Sequence, residues 1–292
     1  METVGVVGAG VMGLTAARTL SEGGHALAVF DPSPKARDAA RSLGAGLAAT
    51  PGEVAEAAEV VLMFLPGPEQ VTSCVAGSDG LLSASQPGMI LVDMSTVDPA
   101  TTRSMAALAT ERGVGYLDAP VLGRPVSVGK WALPVGGRKE HLDRCRPVLR
   151  LLAANIMHVG ESGSGNKIKL LNQLMFGAIN AMTAEMMAVS ERLGVPAKSL
   201  YDTITASQAG TVSNLFIELG RKIISEDYED PTFSVDLLCK DVRLAIDMAR
   251  EAGAPPLLAR TVQFLNEVAQ SQGLGGKDTS MMWKIYGPMW GP

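Results

Sequence analysis

Val4-Gly5-Val6-Val7 runs directly into Gly8-Ala9-Gly10-Val11-Met12-Gly13, and a helical stretch follows through Leu20. A Gly-x-Gly-x-x-Gly turn set between a buried strand and a helix constrains the chain more than any other feature, because few folds use one. Gly8 makes the tight turn, Gly10 lets a pyrophosphate approach the backbone, and Gly13 lets the helix pack close to the strand. The helix N-terminus supplies N–H groups and a positive dipole end. Ala9, Val11 and Met12 complete this expected dinucleotide-binding turn.

Short apolar runs recur through the first half: Val4–Val7, Ala26–Phe30, Val60–Leu65, Ile90–Asp93 and Tyr116–Ala119, each followed by an amphipathic or loop segment. That alternation predicts parallel βαβ units in a doubly wound α/β (Rossmann) sheet, with helices covering both faces. From Gly163 onward the pattern changes to long helical stretches, Asn166–Leu193, Lys198–Ser207, Val235–Glu251 and Leu257–Gln270, with no convincing strand. For a chain of 292 residues we expect two domains, 1–162 and an all-helical 163–292 that opens with a linking helix at about 166–193. The Leu, Met and Ala of that helix suit a core or a subunit interface.

The net charge of −5, with Lys and Arg scattered, leaves no electrostatic footprint for nucleic acid. An anionic small substrate then needs local cations. Cys74, Cys145 and Cys239 are odd in number and far apart, which argues against a disulfide framework or a zinc site, and no metal is expected. Met1-Glu2-Thr3 leads straight into an apolar strand without a basic leader, and no apolar run approaches the ~20 residues of a membrane span, so the expected location is cytoplasmic.

Asp31 follows the second strand about 20 residues after the glycine turn, where an acid accepts hydrogen bonds from the adenosine ribose. This favours NAD. Ser33, Lys35 and Arg37 lie close enough to keep NADP possible, and Asp31 before Pro32 also suits a simple turn. Ser95 and Thr96 follow Asp93 at the carboxyl end of a strand, where open α/β sheets bind ligands; they equally suit a cap for a helix from Pro99. Lys169 has Asn172 and Gln173 at i+3 and i+4, so a helix gathers an ammonium and two amides on one face. Reducing a carbonyl by hydride leaves an alkoxide that needs a proton, and the reverse reaction must remove one; a Lys with its pKa lowered by partial burial and nearby cations serves both.

Taken together these residues resemble the β-hydroxyacid dehydrogenases, which include 3-hydroxyisobutyrate dehydrogenases and tartronate, succinic and glyoxylic semialdehyde reductases. The likeness covers essentially the whole chain. The family's GxGxMG is similar to Gly8–Gly13, its DxST to Asp93–Thr96, its DAPVSGG to Asp118–Arg124, its GxGxxxKxxNQ to Gly163–Gln173, and its KD pair to Lys240-Asp241. The resemblance implies an NAD(P)-dependent oxidoreductase that interconverts a small 3-hydroxy acid and its semialdehyde, with Lys169 as acid/base and Asn172 orienting the substrate. It places Leu65, Pro66, Thr96 and Lys240 with the cofactor, and Ser95, Leu122, Gly123, Arg124, Gln173, Phe233 and Asp241 with the substrate. It also implies a homodimer or homotetramer.

The chain departs from the pattern at Leu122 and Arg124, where the family has a hydroxyl and a glycine. A guanidinium binds oxyanions in a bidentate fork, so Arg124 suits a bulkier carboxylate, a sulfonate or a phosphonate; a surface or interface role is the other reading. Two rival functions share the fold: an imine reductase, expected to lack the lysine, and a non-catalytic dinucleotide-binding module. Lys169 counts against both.

Overall fold

The computed structural model describes residues 3–206, 214–228, 230–253 and 256–287. Two compact units result, Met1–Lys169 and Leu170–Pro292.

In the first unit the elements follow as β1 (Thr3–Val7), α1 (Val11–Glu22), β2 (Ala26–Phe30), α2 (Pro34–Arg41), β3 (Gly46–Leu47), α3 (Pro51–Ala57), β4 (Val60–Met63), α4 (Pro68–Ala76), β5 (Ile90–Asp93), α5 (Pro99–Glu111), β6 (Gly115–Asp118), β7 (Trp131–Gly137), α6 (Lys139–Leu152) and β8 (Ala153–Gly160). One sheet holds all eight strands in the order β3-β2-β1-β4-β5-β6-β7-β8. The order reverses between β1 and β4, which places the expected ligand crevice outside the carboxyl ends of these two strands. Every residue of β4 and β5 is buried, as parallel strands covered on both faces must be. Alternate side chains feed two cores. Val6, Leu62, Val92 and Leu117 belong to one, and Val7, Val61, Met63 and Leu91 to the other.

The sheet departs from the expected parallel set in one pairing. β7 runs antiparallel to β6 through Leu117↔Gly137 and Asp118↔Gly136. Pro134, Gly136 and Gly137 break the apolar pattern there and hid the strand, and the exposed residues of β8 hid its partner. β3, of two residues, carries no periodic signal at all. The expected run Val60–Leu65 ends at Met63, and Tyr116–Ala119 lies one residue late, because β6 is Gly115–Asp118.

The second unit takes over within α7 (Ser164–Arg192) and continues with α8 (Ala197–Ala206), α9 (Asn214–Ser225), α10 (Val235–Glu251), α11 (Leu257–Ser271) and a 3-10 segment, Thr279–Ile285. Ser207, expected as the end of α8, lies outside the described residues. α9 and the 3-10 segment are helices beyond the expected set. Leu238, Val242, Val262 and Met282 form the main core, and Met187, Phe216 and Ile223 a smaller one. A buried ion pair, Lys222 Nζ to Asp278 Oδ2 at 2.6 Å, joins α9 to the start of the 3-10 segment. Asp278 also accepts from Thr232 N and Ser280 N.

Candidate active site

Gly8 has φ +89°, and a Cβ on it would strike the carbonyl oxygen of Phe64. A Cβ on Gly13 would strike the carbonyl of Gly8, so the turn closes on itself only with glycine at both places. At Gly10 the space where a Cβ would stand is open. Gly10 caps α1 without a side-chain hydrogen bond. Val11, at the mouth, is 58% exposed. These residues fit a pyrophosphate: an open cradle, a helix N-terminus and no capping oxygen in the way.

Asp31 is buried at the end of β2. Its Oδ2 accepts from Ala9 N at 2.7 Å and its Oδ1 from Ser33 N at 2.8 Å. The turn reading of Asp31 is therefore realised. It shapes the turn before α2, and it sets its carboxylate directly beside the glycine turn.

At the neighbouring strand ends a second network ties loop to loop. Ser95 Oγ accepts from Leu65 N at 2.9 Å, and Ser95 N donates to Asp93 Oδ1 at 2.9 Å. Tyr116 donates its hydroxyl to Asp93 Oδ2 at 2.9 Å. Burial, and then the Asp93 carboxylate, push the Tyr116 phenol well above its ordinary pKa. The cap of α5 is Asp98, whose Oδ1 accepts from Thr101 N at 2.8 Å, so neither Ser95 nor Thr96 serves as that cap. Ser95 is buried and fixes the Leu65-Pro66 loop; Thr96 and Leu65 are half-buried, and Pro66 is exposed.

The end of β6 carries the third cluster. Asp118 Oδ1 accepts from Gly163 N at 2.8 Å and Oδ2 from Asn166 N at 3.0 Å, which closes the first turn of α7. Asn166 accepts from Val97 N and donates to Thr102 Oγ1. A Cβ on Gly165 would stand 2.5 Å from the carbonyl oxygens of Asp118 and Pro134, so the helix start lies hard against β6 and β7. Lys169, one turn further on, donates from Nζ to the carbonyl of Val121 at 2.9 Å. Burial, with the Asp93 carboxylate on the adjacent strand adding to it, raises the Asp118 carboxyl to about 6 against backbone donors at Gly163, Asn166 and Asp118 itself that lower it.

Beyond Val121 the loop is pinned. Leu122 pairs with Ala132, the Trp131 ring occupies the place a side chain at Gly123 would take, and Trp131 Nε1 donates to the Arg124 carbonyl at 2.8 Å. Ser127 Oγ both accepts from Arg124 N and donates to Arg124 O. Arg124 is thus held at a fixed point three residues beyond the carbonyl that Lys169 reaches.

In the helical unit, Asn172 Nδ2 donates to Gln173 Oε1 at 3.3 Å, Gln173 Nε2 donates to Asp241 Oδ2 at 2.6 Å, and Lys240 Nζ lies 2.8 Å from Asp241 Oδ1. Four residues singled out from the sequence therefore form one chain of contacts. Gln173 and Asp241 are buried and Asn172 is exposed. Phe233 packs edge-on against Phe176 at 5.4 Å between ring centroids. Sequence reasoning quoted Asp93, Asp118 and Asn166 inside motifs without giving them work. The available signal was an acid ending an otherwise apolar strand, twice.

A sheet and turn of this construction define a dinucleotide-binding domain, and by its relatives the chain is an NAD(P)-dependent oxidoreductase of hydroxy acids or their semialdehydes. It belongs to the 3-hydroxyisobutyrate dehydrogenase family. Residues 3–160 match the NAD-binding domain of 6-phosphogluconate dehydrogenase, and residues 163–286 match the NAD-binding domain of NADP-dependent 3-hydroxyisobutyrate dehydrogenase. The 2-(hydroxymethyl)glutarate dehydrogenase of Eubacterium barkeri is 31% identical over 99% of this chain and 96% of its own length. The 3-sulfolactaldehyde reductase of Escherichia coli is 30% identical over 96% of this chain and 94% of its own. Among solved structures, 3-hydroxyisobutyrate dehydrogenase from Salmonella typhimurium superposes with a TM-score of 0.91 at 31% identity, covering 98% of this chain and all of its own.

Proposed function

We propose that this enzyme interconverts a small anionic 3-hydroxy acid and its semialdehyde, with Lys169 as the proton-transfer group. The observation that carries this reading is the 2.9 Å bond from Lys169 Nζ to Val121 O, which holds the ammonium at the carboxyl end of β6 beside the loop of Arg124. A bound nicotinamide would supply the hydride for reduction or accept it in oxidation. Lys169 gives a proton to the substrate oxygen in reduction and takes it back in oxidation. An ammonium has three donors, so the bond to Val121 is compatible with one to substrate.

In this proposal Gly8–Gly13, Asp31, Leu65, Pro66, Thr96 and Lys240 attend the cofactor. Asn172 is assigned to orienting the substrate, and Ser95, Leu122, Gly123, Gln173, Phe233 and Asp241 are assigned to substrate binding by the family motifs they match. Arg124 takes the acidic group in a bidentate fork, which favours head groups larger than those a Ser-Gly-Gly loop admits. The sulfonate acted on by the sulfolactaldehyde reductase relative is one such group. The test is a panel of short-chain hydroxy acids and semialdehydes with carboxylate, sulfonate and phosphonate ends, beside neutral alcohols and aldehydes of the same length, followed by absorbance of the reduced nicotinamide. Turnover confined to anionic members supports the reading; equal turnover of neutral alcohols contradicts it.

We further propose that the functional division falls at 162/163, with residues 163–292 supplying substrate contacts and the surface of a homodimer or homotetramer. Met175, Met182, Leu257, Leu258 and Phe264 are exposed apolar side chains on helices of that unit, which supports an interface there. No helix among the described residues is long and apolar enough to cross a membrane. All three cysteines are buried free thiols, which suits a reducing compartment, and we place the enzyme in the cytoplasm.

A further inference from the structure

We infer that Asp118 is a positioning residue for Lys169, acting by holding the first turn of α7 through its carboxylate. This rests on the reading of Lys169 as the proton-transfer group. A helix whose first turn is buried must find acceptors for its leading N–H groups, and α7 finds them outside its own sequence. Asp118, the last residue of β6, accepts from Gly163 N and Asn166 N. Val121, three residues further along the same loop, accepts from Lys169 Nζ.

The two segments, 118–121 and 163–169, are therefore joined at two points on one side of the helix. One tie would leave a pivot; two fix the rotation of the helix about its axis, and rotation is what aims a side chain. Further contacts limit translation: the carbonyls of Asp118 and Pro134 crowd Gly165, and Asn166 holds Val97 N and Thr102 Oγ1. Gly136 leaves the Asp118 carboxylate room that any Cβ would fill. A side chain placed about 1 Å wrong can cost about 100-fold in rate. Losing the carboxylate should therefore be felt in the chemical step more than in binding.

Asp118→Asn is close in shape but offers an N–H where one backbone donor needs an acceptor. In the full chain, we expect kcat to fall about tenfold or more while KM and the Kd for NADH each move less than about threefold. The same replacement made in Lys169→Ala should change kcat less than about twofold, because there is no ammonium left to aim. An unchanged kcat in Asp118→Asn, or an equal loss in both backgrounds, overturns the inference while leaving the role of Lys169 intact. Full activity of Lys169→Ala alone overturns that role, and this inference with it. If Asp118→Asn does not fold, Thr102→Val removes the Asn166 Nδ2 bond without touching a charge. It should give a smaller loss in kcat that vanishes in the Lys169→Ala background; no loss, or an equal one in both, overturns the inference.

Discussion

Asp31 Oδ2 accepts a hydrogen bond from Ala9 N at 2.7 Å, so the acid that ends β2 is built into the dinucleotide turn itself. A carboxylate so placed welcomes ribose hydroxyls and repels a 2′-phosphate. We expect kcat/KM to favour NAD(H) over NADP(H) by about tenfold or more, equivalent to about 1.4 kcal/mol. Because Asp31 also holds Ala9, Asp31→Ser should weaken NAD binding as well as narrow the preference. A tenfold preference for NADP(H) in the unaltered enzyme would point to Lys35 or Arg37 instead.

Arg124 makes a separable prediction about substrate. Its backbone is pinned by Ser127 and Trp131 independently of its side chain, so Arg124→Ala should leave the loop in place. Losing one charge-assisted contact costs roughly 1.5–3 kcal/mol, which corresponds to a rise in KM of about 10- to 150-fold for anionic substrates. KM for uncharged aldehydes should change little. A uniform effect on both classes would make the guanidinium structural.

Asp118 also has a signature in stability. Its folded pKa of about 6 lies above the ordinary 3.8, chiefly through burial, with the Asp93 carboxylate adding to the rise. Between these values the folded chain keeps a proton that the unfolded chain has released. The group's contribution is then full below pH 3.8 and is lost as the pH rises through about 6. Asp118→Asn stays neutral throughout, so its Tm should gain on that of the unaltered protein by several degrees between about pH 4 and 7. Tm curves that run parallel across the range would contradict a raised pKa.

The helical unit depends on Lys222 and Asp278. Burial alone would raise the Asp278 carboxyl, but the Lys222 ammonium and the Ser280 donors overcome it and hold the pKa below its ordinary value. Its stabilising contribution is present above the unfolded pKa and is lost as the pH falls through the folded one. Removing one partner strands the other in the core, so Lys222→Met should cost about 3–5 kcal/mol, read by urea denaturation at pH 7. A loss below about 1 kcal/mol would show that water reaches the pair.

Much of the fold was legible because it rests on patterns a sequence must carry. β4 is apolar throughout, β1 and β5 are apolar except at one end, the glycine turn has one workable geometry, and α10 was read at both its ends. What stayed hidden lacks periodicity or depends on distant partners. β7 carries a proline and two glycines, and its antiparallel pairing sets Gly136 opposite Asp118, a fact of three-dimensional contact. The site divides the same way. Lys169, Asn172, Gln173 and Asp241 were visible through helical spacing and family motifs. The work of Asp93 and Asp118 was not, because their partners lie 23 residues away at Tyr116 and 45 and 48 residues away at Gly163 and Asn166. Ser95 was read as a ligand contact or a helix cap; Asp98 takes the cap, and Ser95 Oγ also accepts from Leu65 N, a bond that does not use its O–H.

The central claim is that Lys169 moves the proton, and the most direct test is kcat of Lys169→Ala beside its affinity for NADH. General acid–base catalysis contributes about 10²- to 10⁴-fold, so kcat should fall by about 10² or more while the Kd for NADH, read by fluorescence, stays within about threefold. A folded variant that retains its full kcat would remove Lys169 from the chemistry and return the proton transfer to another group.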